Sequence, residues 1–403
     1  MTFAMFYVCY TFLKCIYKIV MSTSKLLSQG GFGCIYYPGI KCNGKPQDNK
    51  NVVSKLQKND ESTKNEINIG EIIMSIEDYQ LYFLPVIGSC PINLNSINKS
   101  LLEDCDSVNK DKDKDEHKKS YILMEIPYVK NKSFYTILID MYSSKKHIIV
   151  GLIENFSYLL DSINILLKKH IVHFDIKSEN ILYNQNTHLP LILDFGVSIN
   201  MNTFNYKNID TYFYTYSPDY YIWCLEIHVI NFLLHETKDT LTIKDVKSIC
   251  MEYVKYNKGL INFSEGFKRE YLQSCENYLK VYVGMDKKKT IELLVAFYPT
   301  WDNYSLSILY LKTFSFMFPN GFHKNSLILY FSQMLLYNIH PNPEKRYTLE
   351  ETKQKFKDIF FMEEQVDNYM DLINAFEYDI DYTTKAIQAD LHQLGKTKAM
   401  LNK

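Results

Sequence analysis

The sequence predicts an α+β fold, with strand-like runs gathered in the first third of the chain and helical patterns in the remainder. Apolar and β-branched or aromatic runs stand at Asn51–Leu56, Tyr82–Ile87 and Tyr121–Glu125, each of strand length. Leu152–Lys169 instead places Leu152, Phe156, Leu159, Leu160, Ile163, Leu166 and Leu167 at spacings of three and four, which defines an amphipathic helix. At 403 residues, 46% hydrophobic and 15% aromatic, the chain can bury a substantial core.

In chain order, Leu27-Ser28-Gln29-Gly30-Gly31-Phe32-Gly33-Cys34-Ile35-Tyr36 reads as a glycine-bearing hairpin. Glycines let a backbone approach an anion with no Cβ in the way. The strand Asn51–Leu56 carries Lys55 in its interior, and the helix after it offers two carboxylates. Glu66 is the first choice as partner of Lys55, because Ile69 and Ile73 then share the packed side; Glu71 is the alternative. Ser96–Ser120 ends in the alternating charges of Asn109–Lys119 and is expected to be a disordered surface loop.

The densest chemistry lies in His173-Phe174-Asp175-Ile176-Lys177-Ser178-Glu179-Asn180 and in Asp194-Phe195-Gly196. An in-line phosphoryl transfer needs a carboxylate to orient the attacking hydroxyl, a cation near the moving phosphate and oxygen ligands for Mg²⁺. Asp175, Lys177, Asn180 and Asp194 have that chemistry, in that order.

These two loops resemble the catalytic and metal-binding loops of protein kinases. The resemblance extends from Leu27 to Thr348 and implies a two-lobed kinase fold. In its terms Leu27–Ile35 is the loop over ATP phosphates, with Ser28 in the place of the first glycine and Gly30 and Gly33 in the second and third. Lys55, held by Glu66, would position the phosphates; Met124 would be the gatekeeper, Glu125 would open the adenine hinge and Leu182 would floor the adenine. Asp175 would orient the acceptor hydroxyl, Lys177 would offset charge on the γ-phosphate, and Asn180 and Asp194 would hold Mg²⁺, with Mn²⁺ as a substitute. His173 is expected to bond backbone near Asp194 rather than to act as a base.

Lys177, two residues after Asp175, is similar to serine/threonine rather than tyrosine kinases. The implied partners are ATP and protein substrates. The Gly-Gly-Phe-Gly-Cys loop, Val-Ser-Lys, Tyr-Ser-Pro-Asp-Tyr and a long insertion look most like the protein kinases of large DNA viruses, which would place the protein in host cytoplasm or virion. Alternatives are a pseudokinase scaffold and a small-molecule kinase of similar fold.

Further along, Asp302–Leu306 resembles the element whose aspartate braces the catalytic loop. Tyr216-Ser217-Pro218-Asp219 resembles Ala-Pro-Glu, so Asp219 is expected to pair with Arg346. Phe174 stands where regulated kinases carry an arginine that receives an activation-segment phosphate. Between Asp194 and Asp219 the only Lys or Arg is Lys207, so packing by Phe204, Tyr206, Tyr212, Phe213 and Tyr214 is expected to order this segment instead.

The organisation expected is therefore an apolar extension over 1–20, a small lobe over 21–125 and a large lobe over 126–350 with a helical insertion at 222–300. A helical tail would cover 351–403. Met1–Leu13 is uncharged but short for a membrane span of about 20 residues. It also lacks a basic start and a cleavage site, so a loosely packed or artefactual extension ranks ahead of an anchor. The net charge of −1 offers no general attraction to nucleic acid. Nine scattered cysteines without metal spacing suggest reduced thiols.

Overall fold

The computed structural model describes residues 24–30, 33–45, 50–109, 120–140, 145–213, 215–236, 238–318 and 326–360. The expectations for residues 1–20 and 361–403 lie outside the described residues, as do Gly31, Phe32 and the charged run 110–119. The chain divides into two compact units, the first holding 24–77 and 84–130, the second 78–83 and 131–360.

The first unit is an antiparallel five-stranded sheet with one main helix. Its strands are β1 (Lys25–Gly30), β2 (Gly33–Tyr37), β3 (Val52–Lys58), β5 (Gly88–Ile92) and β6 (Tyr121–Pro127), in spatial order β1-β2-β3-β6-β5. The short β4 (Phe83–Leu84) lies in sequence where the two units join. Strand β3 is central and buried from Val52 to Gln57, its polar Ser54, Lys55 and Gln57 included. Helix α1 (Glu61–Met74) starts at Asp60, whose side chain accepts from the Thr63 amide at 2.9 Å. It buries Thr63, Glu66, Ile69, Gly70 and Ile73 on one face. Gly70 has a packing reason, since a Cβ there would sit 2.5 Å from the Val86 carbonyl oxygen.

Two expectations fail in this unit. The first is disorder over the described part of 96–120: α2 (Lys99–Glu103) and α3 (Asp106–Asn109) are formed, and Ile97, Cys105 and Val108 are buried in one cluster with Leu56 and Tyr121. These apolar side chains supply the buried surface that orders the segment. The second is the reduced state of the cysteines. Cys34 is joined to Cys105 and Cys42 to Cys90. The partners are 71 and 48 residues apart in sequence, and only the folded sheet brings them together. Closing loops of that size stabilises a fold by roughly 4 kcal/mol each in the chain-entropy description. Non-reducing peptide mapping should recover these two linked pairs, with Cys224, Cys250 and Cys275 alkylated only after unfolding. Recovery of all four as free thiols before reduction would contradict the pairing.

The second unit is mostly helical. Its small sheet contains β7 (Asn131–Ser133), β9 (Ile181–Asn184) and β10 (Leu189–Leu193), and β8 (Ile171–Val172) pairs with β11 (Ile199–Asn200). Helices α4 (Phe134–Asp140) and α5 (Lys145–Lys168) precede the loop bearing His173. Then come α6 (Leu225–His235), α7 (Ile243–Tyr256), α8 (Glu265–Leu279), α9 (Lys287–Val295), α10 (Trp301–Met317), α11 (Ser326–Asn338) and α12 (Leu349–Phe360). Every residue of α10 is buried, its polar Asp302, Asn303 and Lys312 included. Phe156 of α5 meets Tyr310, Phe331 and Phe356 with ring centroids 4.8, 5.0 and 5.1 Å away. Phe356 is thus part of the core.

The pairing expected for Arg346 is also corrected. Its guanidinium makes a two-pronged bond to Glu226, with Nη1–Oε1 and Nη2–Oε2 both 2.7 Å, and neither side chain is exposed. Nε donates to the His340 carbonyl at 2.9 Å and Nη1 also to Thr300 Oγ1 at 3.1 Å. Burial pulls the guanidinium pKa down, and the Glu226 charge more than reverses this. Asp219 instead accepts from Ser217 Oγ at 2.8 Å within its own turn. Glu226 stands in the first turn of the buried helix α6, which aims its carboxylate inward.

Candidate active site

In the first unit, Lys55 Nζ lies 2.9 and 2.7 Å from the two carboxylate oxygens of Glu66, and the side chains are only 8% and 3% exposed. The register follows from β3 and α1, which put a lysine at a strand interior opposite the buried helix face. Glu71 is exposed. Lys55 is paired in register with Ile35 on one side and Met124 on the other, and Ser54 with Glu125. Leu27, Ser28 and Gln29 are exposed on β1, and Gly30 ends that strand. Gly33 has a structural duty of its own, since a Cβ would collide with the Leu56 carbonyl on β3. Cys34 is turned into the core and bonded to Cys105, so its thiol does not face a ligand. Met124 is fully buried and Glu125 partly so.

In the second unit, Asp175, Lys177 and Asn180 come together in one hydrogen-bonded group. Lys177 Nζ donates to Asp175 Oδ1 at 2.9 Å and Oδ2 at 2.7 Å. Asn180 Nδ2 donates to Asp175 Oδ2 at 2.8 Å and to its carbonyl at 2.9 Å. The backbone beneath is held by Asp302, whose carboxylate accepts from the amides of His173 at 2.7 Å and Phe174 at 2.9 Å. Burial pushes the Asp302 pKa up, against those two amide bonds. His173 Nε2 lies 3.1 Å from the Leu193 carbonyl, so this imidazole ties the loop to the end of β10.

Asn180 immediately precedes β9 and Asp194 immediately follows β10. Because Ile181 pairs with Ile192, the hairpin delivers both residues to the same end. The Asn180 amide nitrogen is spent on Asp175, which leaves its oxygen as the atom for a cation. Asp194 is partly exposed, with φ of 66° in the left-handed region. Among the described residues no three His, Cys, Asp or Glu side chains could hold a metal by themselves. An amide oxygen and one carboxylate, both hard donors, suit Mg²⁺ when phosphate oxygens supply further ligands. Leu182 lies on β9, half-buried.

Phe174 also has a left-handed φ, 69°, and the surroundings hold it there. Its amide is bonded to Asp302, its carbonyl accepts from Trp223 Nε1 at 3.1 Å, and its ring packs on Phe213, Trp223 and Trp301. Phe204 meets Tyr206 and Tyr212 with centroids 5.0 and 4.9 Å apart, so rings pack along this segment as expected. Tyr214 lies outside the described residues. Thr203 and Thr211 are exposed. Phosphatase treatment should therefore leave turnover unchanged, as should Thr→Ala at 203, 211 and 215. A hundredfold loss in either experiment would contradict ordering by rings.

Tyr220 and Trp223 are members of this site to which no motif assigned a role, Tyr220 standing in the sequence only as the last residue of Tyr-Ser-Pro-Asp-Tyr. The Tyr220 hydroxyl touches both Asp175 and Lys177, and the Trp223 indole holds the Phe174 carbonyl. In a chain with 33 tyrosines, nothing in sequence assigns this hydroxyl to Asp175.

The class of site so defined is a lysine- and asparagine-braced aspartate beside a hairpin-borne pair of oxygen donors, Asn180 and Asp194. Residues 94–222, about a third of the chain, match the family model described as protein kinase domain. That match supports a protein kinase relationship and includes Asp175, Lys177, Asn180 and Asp194; the glycine-bearing hairpin and Lys55 precede it. No curated protein matches the chain.

Proposed function

We propose that this protein transfers the γ-phosphate of ATP to serine and threonine hydroxyls of protein substrates. The observation that carries the reading is the Asp175 carboxylate, held by Lys177 and Asn180 within a segment similar to a protein kinase domain. In this reading the strand-rich unit is the small lobe and the helical unit the large lobe of the kinase fold. Lys55, fixed by Glu66, binds the α- and β-phosphates, while Met124, Glu125 and Leu182 receive adenine. Asp175 orients the acceptor hydroxyl and accepts its proton, and Lys177 offsets charge on the moving phosphoryl group. Asn180 and Asp194 hold Mg²⁺, or Mn²⁺ in its place, which when bound neutralises phosphate charge. Lys177 supports a serine/threonine acceptor, and the resemblance of the loop sequences to kinases of large DNA viruses supports action in host cytoplasm or virion.

The test offers [γ-³²P]ATP and Mg²⁺ to the full-length protein with mixed protein acceptors and a metabolite pool. Label on protein is expected. Label confined to metabolites would make this a small-molecule kinase, and ATP binding without any transfer would make it a scaffold.

A further inference from the structure

The Asp175 carboxylate has about four acceptor positions, and all are taken. Oδ1 accepts from Lys177 at 2.9 Å and from the Tyr220 hydroxyl; Oδ2 accepts from Lys177 at 2.7 Å and from Asn180 at 2.8 Å. Lys177 Nζ also donates to the Tyr220 oxygen at 2.7 Å, which closes a three-membered ring of hydrogen bonds. An acceptor hydroxyl can reach Asp175 only if one donor leaves. Lys177 holds two of the four positions, and a γ-phosphate is the anion that would draw it away. Once it turns, Asn180 remains on Oδ2 and Tyr220 alone on Oδ1.

On the kinase reading above, we infer that Tyr220 is a positioning residue, whose hydroxyl holds the Asp175 carboxylate in place while Lys177 engages phosphate. Its placement suits that task. The residue is 2% exposed, and its ring lies against Trp223 with centroids 4.8 Å apart. Trp223 is itself fastened to the Phe174 carbonyl, so the phenol is aimed by the same backbone that carries Asp175. A ring with two side-chain torsions holds its hydroxyl at low entropic cost. Burial, with the Asp175 charge next in size, drives the phenol pKa well above 10, so the hydroxyl keeps its proton and remains a donor.

The test uses the full-length protein, [γ-³²P]ATP with Mg²⁺, and dephosphorylated casein as acceptor. Wild type, Tyr220→Phe and Asp175→Asn are compared for kcat, for KM of ATP and for melting temperature. Removing one bond to a charged group should lower kcat about 10- to 100-fold, with KM for ATP within twofold and melting nearly unchanged. A merely structural tyrosine would move melting and leave kcat of the folded fraction alone; that outcome overturns the inference. No transfer by wild type would refute the kinase reading itself, and this inference with it. If Tyr220→Phe fails to fold, Tyr220→4-aminophenylalanine keeps the ring and a donor but weakens acceptance from Lys177. A partial loss of kcat is then expected, and an unchanged kcat overturns the role.

Discussion

Arg346→Met should destabilise the helical unit by about 3–5 kcal/mol, because it strands the Glu226 carboxylate, whose side chain is fully buried. The guanidinium it removes is fully buried and makes four hydrogen bonds, two of them to that carboxylate. It also lies over the Tyr304 ring at 5.3 Å, so packing is lost along with charge. Glu226→Leu should cost a similar amount by stranding the cation instead. Combining the two changes should recover most of the loss, since apolar replacements of a whole buried pair are often neutral. Asp219→Asn should cost far less, because its carboxylate is only half-buried. Urea unfolding followed by far-ultraviolet circular dichroism reads all four variants. A loss for Asp219→Asn equal to that for Glu226→Leu would contradict the pairing.

The largest effects on activity are expected at Asp175 and Asp194. Asp175→Asn preserves shape but replaces an acceptor-only carboxylate with an amide that must face Lys177 and Tyr220. On the proposed function it removes the group that orients and deprotonates the acceptor, a contribution of about 10²–10⁴-fold. Asp194→Asn should abolish Mg²⁺-dependent turnover with little effect on the fold, because the side chain is partly exposed and no core volume changes. Steady-state transfer rates beside circular dichroism separate loss of chemistry from loss of structure. If either variant kept most of the wild-type rate, its assigned role would be wrong.

The parts of the site that chemistry dictates were legible in sequence. A phosphoryl transfer needs particular residue types at short spacing, so Asp175, Lys177 and Asn180 announced themselves, and the structure joins them by direct hydrogen bonds. The Glu66 partner followed from helical spacing with Ile69 and Ile73, which share its buried face. Contacts across long sequence distances were not legible. Ser-Pro-Asp drew the Arg346 assignment towards Asp219 because proline looks decisive, whereas Glu226 had only its place at the head of an apolar helix to recommend it. The disulfides link residues 71 and 48 apart, and spacing carries no trace of them. The charge run ending at Lys119 hid the apolar Ile97, Cys105 and Val108 before it. Tyr220 acts through the placement of a single hydroxyl, which no pattern encodes.

Phosphosite mapping tests the central claim most directly. The full-length protein and its Asp175→Asn variant would each be incubated with Mg²⁺-ATP and a dephosphorylated cell extract, and acceptor residues identified by mass spectrometry. The expected result is new phosphate on protein serine and threonine, present with the wild type and absent with the variant. Equal labelling by both proteins, or none by the wild type while it still binds ATP, would contradict the claim.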